Sequence, residues 1–116
     1  SPDPILLEKL NQARALYGKP LIVTSGNRCA FWNAHMGGED DSTHLIARAA
    51  DVACRDSRTR WKMLHAFTGA GFVRIGIGRT FLHVDVADDP IHPVAVIWTY
   101  YPKVGRPKKE DPNAKR

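Results

Sequence analysis

The run from Val73 to Val86, VRIGIGRTFLHVDV, constrains the fold more than any other part of this 116-residue sequence. Val73, Ile75 and Ile77 alternate with Arg74, Gly76 and Gly78, the period of a half-buried strand. Gly78-Arg79-Thr80 turns the chain, and a second strand follows. Successive side chains of a strand point to opposite faces, so Leu82, Val84 and Val86 face one way while Phe81, His83 and Asp85 face the other. One face is apolar and has to be covered. The other carries an imidazole and a carboxylate.

The covering material is helical. Asp3 can cap a first helix, Pro4 suits its first turn, and Gly18 followed by Pro20 stops it. Leu6, Leu10, Ala13 and Tyr17 fall on one side of it. A second helix is expected from near Ser57, with Trp61, Leu64 and Phe67 inward, ending at Gly69-Ala70-Gly71. Leu21 to Thr24 reads as a short buried strand, Ala49 to Cys54 as another, and Val94 to Trp98 as a last one. Between Ser25 and Ser42 the chain is rich in Gly, Asn and Asp, and is expected to be a loop longer than ordinary connections. The fold class predicted is α+β: a small, mostly antiparallel sheet with helices packed on one face, in a single domain over residues 1–101.

Charge narrows the function classes. The net charge is +5, but residues 102–116 hold six basic and two acidic side chains, which leaves the remainder at +1. The basic pI therefore belongs to a tail, expected to be disordered and solubilising. A near-neutral body argues against a nucleic-acid partner, although Gly105-Arg106-Pro107 resembles a minor-groove hook. No apolar run approaches the roughly 18 residues of a membrane span, and no basic-then-apolar signal segment opens the chain, which starts at Ser1 without a methionine.

Several chemistries lack their residues. No glycine-rich phosphate loop with its lysine is present, nor a G-x-S-x-G elbow. Cys29 and Cys54 form no CxxC pattern, and nothing beside them marks a lowered pKa. His44, Asp51 and His83 are two nitrogen ligands and one oxygen ligand, the open three-ligand set of a hydrolytic metal site. Two adjacent antiparallel strands could bring Asp51 and His83 together. Sequence separation alone does not establish that they do.

The segment Ser42-Thr43-His44-Leu45-Ile46-Ala47-Arg48-Ala49-Ala50-Asp51 has the form S-x-H-x-x-x-x-A-x-D. Ser25-Gly26-Asn27-Arg28 precedes it and His83-Val84-Asp85 follows. In this order and approximate spacing the chain resembles the zinc D-alanyl-D-alanine carboxypeptidase family, whose fold is shared with the hedgehog signalling domain. The similarity runs from about Leu6 to Tyr100.

The resemblance implies Zn2+ bound by His44, Asp51 and His83, and Arg28 gripping a substrate carboxylate. Arg28 could instead pair with the acidic loop Glu39-Asp40-Asp41. Ser42 either contacts substrate or orients the loop, and Asn33 reads as a loop-fixing residue. Two departures stand out. Ala47 replaces a usual glycine, which would cost about 1 kcal/mol if that position needed a positive φ. Thr80 stands where many relatives carry an acidic general base. Asp85 is the candidate for that role, or else it orients a ligand imidazole. Asp88 and Asp89 are reserves, and His65 and His92 could help only by reaching the cleft.

The function implied is a zinc-dependent peptidase hydrolysing peptidoglycan stem peptides, as a carboxypeptidase or a murein endopeptidase. An inactive zinc-containing binding module of the same fold is the alternative. A monomer in a periplasmic or extracellular cell-wall compartment is expected, of bacterial or phage origin. A Cys29–Cys54 disulfide would suit that compartment and stays open.

Overall fold

The computed structural model describes residues 2–24 and 47–101. Helix α1 spans Pro4–Tyr17, strand β1 Ala49–Ala53, helix α2 Ser57–Gly69, β2 Arg74–Ile77, β3 Phe81–Asp85 and β4 Val96–Thr99. The Asp3 carboxylate accepts from the backbone N–H groups of Ile5 and Leu6 at the start of α1, and Gly18, at φ 84°, ends it. Asp56 caps α2 in the same way through the Thr59 N–H.

Strand order is β1-β3-β2-β4. β3 pairs antiparallel with both β1 and β2, whereas β4 runs parallel to β2. The sheet is thus mixed, with two antiparallel pairings and one parallel. Leu6 and Ala13 of α1 and Met63 and Phe67 of α2 pack on Ala50 and Val52 of β1, Ile75 of β2, and Leu82 and Val84 of β3. Both helices therefore cover one face of the sheet, and the period-two alternation turns Asp51, Gly76 and His83 to the other.

Several expectations are corrected. Trp61 is 72 % exposed rather than inward, because the buried stripe of α2 is Met63, Ala66 and Phe67. At about 100° per residue, Trp61 lies some 200° around the helix from Met63. Among the described residues, Leu21 to Thr24 forms no strand ladder: it touches β1 through one bridge, Val23 to Val52, flanked by the bonds Thr24 N–H to Asp51 O and Ala53 N–H to Ile22 O. Among the described residues nothing else pairs with it, and Ile22 is exposed. Arg74, placed on a solvent side by its alternation with valine and isoleucine, is buried. Ala47 does not occupy the left-handed region, where Ala95 at φ 63° is the one non-glycine among the described residues. The last strand begins at Val96 rather than Val94.

Candidate functional site

On the face opposite the two helices, strand register decides which side chains meet. Asp51 of β1 lies directly opposite His83 of β3, and Gly76 of β2 lies opposite His83 on its other side. The Nδ1 of His83 sits 2.9 Å from Asp51 Oδ1, and its Nε2 sits 2.7 Å from Asp85 Oδ2. Asp85, two residues along the same strand, is fully buried. Its Oδ1 accepts from Arg74 Nε at 2.5 Å and from the Ala87 backbone N–H at 3.1 Å. Arg74 also donates from Nη1 to the Pro93 carbonyl at 2.5 Å. Chain order thus hides a connected array, Asp51–His83–Asp85–Arg74, drawn from three strands.

Electrostatics follow from this geometry. Burial works to lower the His83 pKa, but the hydrogen bonds to Asp51 and Asp85 and their charges outweigh it and hold the imidazole at about 9. Burial likewise works to raise Asp85. The bonds from His83, Arg74 and the Ala87 N–H prevail and keep its carboxyl below the ordinary carboxylate range. Without a metal, the array is an imidazolium between two carboxylates.

An aromatic wall borders His83 on the β4 side. The rings of Trp98 and Tyr100 lie 5.5 and 6.1 Å from the His83 ring, centroid to centroid, and Phe81 lies 5.3 Å from Tyr100. Gly76 is what admits them. A Cβ there would come within 2.5 Å of Tyr100 and 2.7 Å of Trp98, closer than real side chains approach. Burial pushes the Tyr100 phenol up, and the charges of Asp51 and Asp85 add to that.

Of the residues singled out in the sequence, Asp51, His83 and Asp85 converge. Arg28, Asn33, Ser42 and His44 lie outside the described residues, as do Cys29 and the basic tail. Among the described residues no group of three His, Cys, Asp or Glu side chains is arranged to hold a metal ion. Asp88 pairs with Arg48 at 2.7 Å, and Asp89 accepts from His92 Nδ1 at 2.6 Å, so both reserves serve the turn after β3. His65 stacks on Trp61 on α2, on the helical side of the sheet. Cys54 is a buried free thiol. Sequence reasoning missed Arg74, Trp98 and Tyr100. The signal for Arg74 was its place two residues before Gly76, on the face that His83 and Asp85 share.

The donor chemistry is an anionic oxygen and an imidazole nitrogen side by side on neighbouring strands, with the second imidazole nitrogen already held by a carboxylate. That pairing fits one edge of a zinc site. The class comes from comparison with known families: it is a hydrolase of the metallopeptidase kind. The family model for peptidase M15 matches residues 2–87, about three-quarters of the chain, and the chain belongs to that family of D-Ala-D-Ala carboxypeptidase-like zinc peptidases. No curated protein and no solved structure matches the chain. Among the described residues, no helix is long and apolar enough to cross a membrane.

Proposed function

We propose that this chain is a zinc-dependent peptidase acting on peptidoglycan stem peptides in a cell-wall compartment. The observation that carries the reading is the cross-strand pair of Asp51 and His83, whose donor atoms lie 2.9 Å apart within the span matched to a peptidase family. Asp51, His83 and, by the S-x-H motif, His44 would hold the ion. Zinc bound there supplies a Lewis acid that polarises a carbonyl and acidifies water.

The remaining work falls to the chain's own groups. Were Nδ1, the nitrogen beside Asp51, to serve as the ligand atom, Nε2 would keep its proton and donate it to Asp85. Asp85 fixes that tautomer and the ring's orientation, and Arg74 holds Asp85 ionised. With its side chain wholly buried and both oxygens engaged, Asp85 is better suited to orienting His83 than to receiving a proton from substrate water. We therefore take the second of its two sequence-derived roles. Arg28 would anchor a substrate carboxylate by a bidentate pair, and Ser42 would contact substrate or orient its loop. The inactive-module reading draws on Thr80, which replaces an acidic residue, and on the engagement of Asp85.

Metal content by mass spectrometry, on wild type and His83→Ala, is the first test. About one zinc per chain, absent from the variant, supports the site. Release of D-alanine or of internal fragments from stem peptides then separates carboxypeptidase from endopeptidase, and no turnover by the zinc-loaded protein would favour the binding module. No zinc in wild type, even after zinc is added, would sink the peptidase reading.

A further inference from the structure

Trp98 lies in β4, beyond the residues matched to the family, yet it contacts two members of the array, His83 and Arg74. The Arg74 guanidinium carbon sits 5.0 Å from the centre of the Trp98 ring, a cation–π distance. The same ring lies 5.5 Å from His83, tilted by 55°. Together with the bonds Arg74 to Asp85 and Asp85 to His83, these contacts close a circuit: His83, Asp85, Arg74, Trp98 and back to His83.

Each member of the circuit limits another. Arg74 is long and has rotamer freedom to lose, and its Nη1 bond to the Pro93 carbonyl fixes one end of the guanidinium only. The indole supplies a flat electron-rich surface that sets the plane in which Nε meets Asp85. It also packs beside the imidazole, restricting the ring rotation that the two carboxylates leave. Gly76 is the enabling position, because any side chain there would displace the indole from across β2. The parallel pairing of β4 with β2 puts Trp98 opposite Gly76.

We infer that Trp98 is a positioning residue of the metal centre, which orients His83 through Arg74 and Asp85 and directly by ring contact. This inference rests on the zinc reading of Asp51 and His83 above. It extends the site to an edge strand that neither the sequence motifs nor the family match includes.

The test compares full-length wild type, Trp98→Leu, Trp98→Phe and, as a control on the same strand, Thr99→Ala. Zinc dissociation constants are measured by competition with a chromogenic chelator, and the visible spectrum of the cobalt-substituted protein reports ligand geometry. Direct partners of metal-binding histidines change affinity about 10–100-fold, so a residue acting one step further out is expected to cost about fivefold in Trp98→Leu. The cobalt bands should shift in the same variant. Trp98→Phe keeps a ring face and should recover most of the affinity, and Thr99→Ala should match wild type. If Trp98→Leu does not fold, Trp98→Met takes its place, keeping apolar volume without a ring.

A purely packing role would lower the melting temperature while zinc affinity and cobalt spectrum stay those of wild type, and that result overturns the inference while leaving the zinc reading intact. A wild-type protein that binds neither metal overturns both.

Discussion

In metal-free protein His83 should make stability fall as pH rises, with a sign and a size that the site geometry sets. Its pKa is held at about 9, against 6.5 for an unperturbed imidazole, because both ring nitrogens face carboxylates. A group raised in the folded state contributes its stabilisation fully below its unfolded pKa and loses it as pH climbs through the folded one. Two and a half units at 1.36 kcal/mol each amount to about 3 kcal/mol, present at about pH 6 and gone by about pH 9.5. Asp85, whose pKa is depressed, contributes in the opposite sense: its share holds above about pH 4 and disappears only in acid, outside this window. Cys54 and Tyr100 are both raised and act mainly toward the alkaline end. Urea unfolding of the chelator-treated protein across that range, beside His83→Gln, isolates the imidazole. Wild type should lose about 3 kcal/mol while the variant stays nearly flat until the thiol and phenol titrate. If zinc binds His83 through Nδ1, as proposed, the trend reverses, because the ion would have to displace the Nδ1 proton. Apparent zinc affinity should rise about tenfold per pH unit between about pH 7 and 9. A wild-type stability that is flat or rising between about pH 6 and 9, or a His83→Gln curve parallel to it, would refute the reasoning.

Asp85→Ala leaves Arg74 buried without its carboxylate and should destabilise the fold by about 3–5 kcal/mol in urea titrations at neutral pH. Asp85→Asn, which keeps the shape, is expected to weaken zinc by about 10–100-fold in chelator competition, since the neutral amide no longer holds the Nε2 proton as an ion does. Leu82→Ala empties a fully buried position beneath both helices and should cost about 2–5 kcal/mol by chemical denaturation. Asp3→Ala removes the carboxylate that accepts from Ile5 and Leu6, and a loss of about 1 kcal/mol is expected, read as a lower melting temperature with the metal site unchanged.

Local sequence was enough for the elements and their faces. Caps at Asp3 and Gly18 bounded α1, and strict alternation in Phe81–Asp85 separated Leu82 and Val84 from His83 and Asp85. A motif needs only residue type and order, and the resemblance grouped His44, Asp51 and His83 with Asp85; of these, Asp51, His83 and Asp85 lie among the described residues and meet there. Local sequence misled where burial depends on a distant partner. Arg74 reads as a surface residue until Asp85 appears opposite it, and Trp61 reads as core until the helix is rotated onto its Met63–Phe67 stripe.

What the sequence by itself determined, then, was which side chains of each strand share a face, since the period of two is a property of the extended backbone. Tertiary structure alone decided who the neighbours would be. The register that sets Asp51 against His83, the parallel seating of β4 that lays Trp98 across Gly76, and the burial of Arg74 against Asp85 are all pairings between segments distant along the chain. A one-residue slip in any of them would leave every local preference satisfied and send the site's side chains to the opposite face. Register is chosen by the summed packing of the whole sheet against the helices, and no single segment carries that information.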